Sequence, residues 1–256
     1  MTPPPTTPPL RTAPPRTPAG RVLVFSRTTG YRHESIPAGV RALRELGAER
    51  GLAVEATEDP AALAEGGLER YAAVVFLSCT GEVLDEPGRA ALRGYVCGGG
   101  GFLGIHSASN AEPDWPFYGR LVGARFASHP DPETAEVTVE DHGHPATAHL
   151  AARWRWYDEW YDFTADPRPT VRVLASVDER QYRGPTAGAD RPLVWCQQVD
   201  AGRSFYTALG HTVEAYQAPA FRHHLLGALD WTARLPPPDR PAPDRPPPDR
   251  PAQVDG

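Results

Sequence analysis

Three histidines sit where apolar runs of the sequence end. His33 closes the polar loop Arg27–His33 that follows Val22–Ser26, His106 directly follows the run in FLGIHSAS, and His211 directly follows the run in YTALGHT. If those runs are strands of an open α/β sheet, their C-termini line the crevice in which such sheets bind ligands, and residues far apart in sequence converge there. His129, in FASHP, and the acidic pair Asp158–Glu159, in WYDEWYDF, could join them from connecting segments. Imidazole with carboxylate is a suitable ligand set for a borderline divalent ion such as zinc, and an equally suitable acid/base set without a metal.

The remaining histidines carry blander expectations. His142, His144 and His149 fall in the irregular stretch DHGHPATAH, which suits turn and surface roles. His223 and His224 are neighbours on the last helix, where at most one can face a sheet. Trp154, Trp156, Trp160 and Tyr161 are either core aromatics or the walls of a sugar-stacking cleft.

The elements that must position these residues are legible as a pattern. Val22–Ser26, Leu52–Thr57, Tyr71–Ser78 and Gly101–Ile105 read as strands, the third a nearly continuous apolar run of the kind buried on both faces of a parallel sheet. Between them, Ile36, Val40, Leu43 and Leu46 share one helical face, and Asp85 caps a helix running to about Val96. Further strands are expected at Ala135–Glu140, Val171–Val177, Leu193–Val199 and Arg203–Leu209, with a closing helix over Glu214–Leu235. This order predicts an α/β fold: a doubly wound, mostly parallel sheet.

Composition marks the ends of that domain. Of 30 prolines, eight precede residue 21 and nine follow residue 235, the latter in the repeat PPPDR-PAPDR-PPPDR. The segments 1–20 and 236–256 are therefore expected to be disordered or extended tails around one domain over 21–235. All 26 basic residues are arginine, and a net charge of −6 without a basic stripe argues against nucleic-acid binding. No run is long and apolar enough for a membrane span, and no secretory signal is apparent, so a cytoplasmic protein is expected. Cys79, Cys97 and Cys196 lack a C-x-x-C spacing, which favours a reducing compartment and excludes a cysteine zinc site. The glycines at 98–101 precede a strand rather than open a helix, so they are no dinucleotide fingerprint, and neither a Walker pattern nor G-x-S-x-G occurs. Ser107 beside His106 makes a poor nucleophile and base, because adjacent residues on a sharp turn point apart.

Seven separated motifs occur in order: TGYRHESI, FLGIHSA, DWPFYGRLVGARFASHP, GHPAT, WYDEWYDF, RPLVWCQ and GRSFYTALGHT. Together they resemble the ThuA-like family, named for trehalose utilisation, across essentially all of 21–235. The resemblance implies a three-layer flavodoxin-type fold of the class I glutamine amidotransferase kind. True amidotransferases carry a cysteine nucleophile at the turn where this chain has His106, so that activity is not expected here.

What the resemblance implies instead is carbohydrate metabolism: metal-assisted cleavage or elimination at a glycosidic centre of trehalose, a related disaccharide or its 3-keto derivative. On that reading His33, His106 and His211 hold a divalent ion such as zinc or manganese. His106, Asp158, Glu159 and His129 share the acid/base work, and Tyr31, Trp115, Trp160 and Tyr161 contact the sugar. The expected partner is a small carbohydrate, with no nucleic acid or membrane, and a homo-oligomer is compatible with it. Two other classes stay open: a carbohydrate-binding or regulatory protein without turnover, and an assembly domain of the sort found inside larger sugar enzymes.

Overall fold

The computed structural model describes residues 20–64, 67–183 and 190–236. Apart from Gly20 and Pro236, the two expected proline-rich tails lie outside the described residues.

The N-terminal half alternates strand and helix. It runs β1 (Arg21–Phe25), α1 (Ile36–Glu49), β2 (Ala53–Thr57), α2 (Ala61–Ala64), β3 (Ala73–Leu77), β4 (Thr80–Gly81), α3 (Glu86–Cys97) and β5 (Gly101–Ile105). Then come β6 (Asn110–Ala111), α4 (Pro116–Val122), β7 (Phe126–Ser128), β8 (Glu133–Val139), β9 (Arg153–Asp158), β10 (Asp162–Phe163) and β11 (Arg172–Val177). The chain closes with β12 (Arg191–Val199), β13 (Gly202–Thr207) and α5 (Pro219–Thr232).

Nine strands form one sheet in the order β2-β1-β3-β5-β13-β12-β11-β8-β9. The five from β2 to β13 are mutually parallel, and the pairings from β13 outward to β9 are antiparallel. The expected doubly wound α/β fold is therefore present, with an antiparallel half built onto its parallel one. β3 and β5 are buried at every residue because helices cover both faces there: α1 packs with α5, and α2 with α3. Beneath the second layer Phe25, Phe76, Phe102 and Tyr118 run across the sheet, with successive ring centroids 5.1, 5.4 and 5.9 Å apart. Each such pair adds about 0.5–1.5 kcal/mol beyond the area it buries.

Local chemistry sets the helix ends. The Asp85 carboxylate accepts from the Gly88 N–H at 2.9 Å, as its place before α3 predicts. The single closing helix expected from Glu214 instead breaks into a 3-10 turn, Glu214–Gln217, followed by α5. Pro219 is the reason: it excludes Ala218 from the helical region, and Ala218 sits extended at φ −69°, ψ 123°. Gly227 lets α5 press onto the loop at Pro145, since a Cβ there would lie 2.3 Å from the Pro145 oxygen.

One strand of the large sheet had no counterpart among the expected elements. β9 pairs with β8, Ala135 opposite Trp156 and Val137 opposite Trp154, so both tryptophans turn toward α5 while Arg155 and Tyr157 stay exposed. Its W-R-W-Y-D alternation is a strand signal, but the same aromatics also suit a cleft wall.

Candidate active site and metal centre

His33, His106 and His211 do converge over the C-terminal ends of the parallel strands. The loop carrying His33 is fastened to the next strand end: the Thr29 N–H donates to the Thr80 oxygen at 2.9 Å, and the Thr80 hydroxyl to the Tyr31 oxygen at 2.7 Å. His106, fully buried, begins the turn after β5 with φ 54°, a left-handed conformation that costs a non-glycine residue about 1–3 kcal/mol. Tyr206 on β13 holds it there, its hydroxyl donating to the His106 carbonyl at 2.8 Å, with Ser109 Oγ a further 2.8 Å away. His211 follows Gly210, whose φ of 112° is open only to glycine without strain. Asp158, at the end of β9, accepts from the N–H of Gly210 at 2.8 Å and of His211 at 3.1 Å.

Four donor atoms result, from His33, His106, His211 and Glu159, all within 4.8 Å of one another. His106 Nδ1 lies 2.7 Å from the Ala208 carbonyl, which assigns the proton to Nδ1 and a lone pair to Nε2. That single lone pair faces His33 Nε2 at 3.0 Å, the Tyr161 hydroxyl at 2.9 Å and Glu159 Oε2 at 3.3 Å. Glu159 Oε1 stands 3.2 Å from His211 Nδ1 and 3.6 Å from His129 Nε2. Glu159 Oε2 and His211 Nδ1 are buried without an aligned hydrogen-bond partner among the described residues.

Burial pushes the His33 imidazole down to about 3, and the neighbouring His106 adds to the shift. Burial likewise lowers His211, against the opposing pull of Glu159. For Glu159 burial works toward the protonated form, but the neighbouring His106, with His211 and His129, prevails and holds the carboxyl below its usual range. Lowered His33 and His211 beside a lowered Glu159 carboxyl favour the protonation states that metal ligation requires.

Those residues fit a divalent ion. Ligands at zinc-type distances in a tetrahedron stand about 3.3 Å apart; three contacts in this cluster, at 3.0–3.3 Å, are near that edge, and the four donor atoms together lie within 4.8 Å of one another. A cation among the lone pairs would also satisfy the two orphaned atoms and relieve the crowding on His106 Nε2.

The other residues singled out in the sequence fall into distinct places. Tyr161 is in the cluster, and burial pushes its hydroxyl well above the ordinary phenol range. His129 stands at the mouth, its side chain 34% exposed and stacked on the Tyr161 ring. Tyr31 also lies at the mouth, 66% exposed, with its ring edge 4.8 Å from His33 between centroids. Asp158 is wholly buried, and N–H donors from Trp156, Glu159, Gly210 and His211 occupy its oxygens, so it orients the site rather than exchanging protons in it. Burial pushes its carboxyl up, and His106 with those donors pulls against the shift. Trp160 is a framework residue: fully buried, it donates to the Glu133 oxygen and stacks on Tyr182, leaving no face for a sugar. Trp115 stands at the start of α4 beside Arg89 and Arg93, in a separate surface pocket.

Ser107 turns to His33, its Oγ 3.3 Å from Nδ1, rather than to its neighbour His106. Of the loop histidines, His144 departs from the surface role expected for it: it is buried, and its Nδ1 accepts from the Ala146 N–H at 3.1 Å. His224 is the buried member of its pair and His223 the exposed one. Tyr206 and the Ala208 carbonyl were not foreseen as parts of the site, because a hydroxyl and a backbone oxygen within an apolar strand carry no signature of what they hold.

The architecture is shared with solved structures. A ThuA-like protein from Bacteroides uniformis is 22% identical over 87% of this chain and 95% of its own, with a TM-score of 0.69. One from Parabacteroides merdae is 21% identical over 85% and 90%, with a TM-score of 0.70. A β-galactosidase from Rahnella sp. R3 is similar over 85% of this chain but only 32% of its own, at 17% identity and a TM-score of 0.53. No functionally curated protein matches the sequence. The ThuA family, described as trehalose utilisation, matches residues 21–232, and the chain belongs to that family.

Proposed function

We propose that this chain is a metal-assisted enzyme of carbohydrate metabolism that cleaves, or eliminates across, a glycosidic centre of trehalose, a related disaccharide or its keto derivative. The observation that carries the proposal is the clustered donor set of His33, His106, His211 and Glu159, two of whose atoms, Glu159 Oε2 and His211 Nδ1, have no hydrogen-bond partner among the described residues. A divalent ion held there, zinc or manganese, would supply Lewis acidity toward a sugar oxygen.

The chain's own groups divide the proton work. His129 is the titratable member open to solvent, and its Nε2, 3.6 Å from Glu159 Oε1, is not committed to a hydrogen bond. In an elimination it takes the proton from the carbon beside the sugar carbonyl. The electron pair moves into the ring as the C1–O bond breaks, and the departing oxygen takes back that proton from His129. Asp158 and Tyr206 fix the two histidine backbones against which this happens. Tyr31, at the rim, is positioned to cover a bound sugar.

Incubation with trehalose and with 3-ketotrehalose, with and without added zinc or manganese, followed by mass analysis of products, tests the proposal. Metal-dependent loss of either disaccharide, abolished in His106→Ala, supports it. Disaccharide bound but left unchanged by the metal-loaded protein would favour a binding module instead, and full activity in His106→Ala would overturn the role given to this cluster.

A further inference from the structure

A cleft of about 590 Å³ opens beside the histidine cluster, between β9 and the turn Glu214–Gln217. Its lining takes Trp156 from the α5 face of the edge strand β9, Arg155 and Tyr157 from the opposite face, and Thr212 and Glu214 from the neighbouring turn. Trp156 is half-buried, braced on one side by Trp154 and on another by Phe221, with ring centroids at 4.6 and 5.5 Å. Tyr157 is 50% exposed, one of two large aromatics so open among the described residues. Arg155 and Glu214 are both exposed, and neither forms an ion pair among the described residues.

A fixed aromatic wall with a free cation and a free anion beside it suits a neutral ligand that is apolar on one face and rich in hydroxyls at its edge. An anionic ligand would gain from Arg155 and be repelled by Glu214, and a cation the reverse. The cleft also communicates with the cluster through one carboxylate. Asp158 accepts from Trp156 Nε1 at 2.9 Å and from the His211 N–H at 3.1 Å, and Thr212 of the cleft is bonded directly to His211.

We propose that this cleft is a saccharide subsite for the second pyranose ring of the substrate, stacked on Trp156 and hydrogen-bonded at its edge by Arg155 and Glu214. The inference rests on the carbohydrate reading of the site and adds to it the requirement for two joined rings, one at the histidines and one on β9. Asp158 then serves as a positioning residue for both halves of the site.

Titration calorimetry of the full-length, metal-depleted protein with trehalose and with methyl glucoside tests this. Ala218→Trp fills the cleft from its rim, and the surface double variant Arg155→Ala/Glu214→Ala removes its polar groups without touching the core. Wild type should bind trehalose at least tenfold more tightly than the single ring. Both variants should lose that advantage while retaining zinc in equilibrium dialysis as wild type does. Equal trehalose affinity in wild type and the double variant would overturn the subsite and leave the carbohydrate reading standing. Failure of wild type to bind any saccharide, both metal-depleted and reloaded with zinc, would overturn that reading, and the subsite with it.

Discussion

At the scale of single residues, the site depends on groups that touch no substrate. Asp158→Asn would turn an amide N–H₂ toward backbone N–H donors that now meet an oxygen, and would loosen His211. A 10–100-fold loss of metal affinity is expected, the usual effect of removing an orienting partner, measurable by competition with a chelating dye. Tyr206→Phe removes one hydrogen bond to the strained His106 carbonyl and should cost about 1 kcal/mol in denaturant unfolding. Unaltered stability and affinity in both variants would show that the two backbones hold their conformations unaided. His33, His106 and His211 were legible in the sequence because each follows an apolar strand, and Glu159 and His129 because they lie in histidine- or acid-bearing loops. Trp160 misled because hydrophobicity alone does not tell a cleft wall from a core residue; its burial depends on Glu133 and Tyr182, both distant in sequence.

At the scale of elements, the strand ends do the positioning and the helices hold the strands in place. Asp85→Ala should destabilise the protein by about 1 kcal/mol through loss of the α3 cap, with little change in metal binding because α3 leads into β5 from the opposite end. Gly227→Ala should cost more, about 1–3 kcal/mol, because α5 must lift from the Pro145 loop. Thermal melts of the two variants would order them, and a milder effect at Gly227 would mean that the loop yields. The parallel strands and α1 and α3 could be read almost to the residue from burial periodicity and a capping aspartate. β9 and the break before α5 were less legible: the first is an edge strand whose pattern mixes arginine with tryptophan, and the second turns on one proline.

For the whole molecule, two histidines away from the site link folding to pH. Burial pushes His224 down to about 3 and, with help from Arg172, His144 to about 4, against an ordinary value near 6.5. Their folded-state values lie below the unfolded ones, so the unfolded chain binds more protons between these limits. The stability they permit is complete above about pH 6.5 and is lost as pH falls toward 4 and then 3, at up to ~1.4 kcal/mol per pH unit for each histidine. Denaturant unfolding at several pH values between 4.5 and 6.5 should show this slope, reduced by one histidine's share in His224→Leu. An unchanged slope in that variant would assign the dependence to other groups. The described chain contains no helix long and apolar enough to cross a membrane.

In the proposed metal centre, His33, His106, His211 and Glu159 together hold one divalent ion. Dialysis of wild type, His106→Ala and Glu159→Gln against zinc or manganese, followed by elemental analysis of the folded proteins, tests it most directly. One ion per wild-type chain, lost in both variants, is predicted. No retained ion in wild type, or equal retention in the variants, would contradict it.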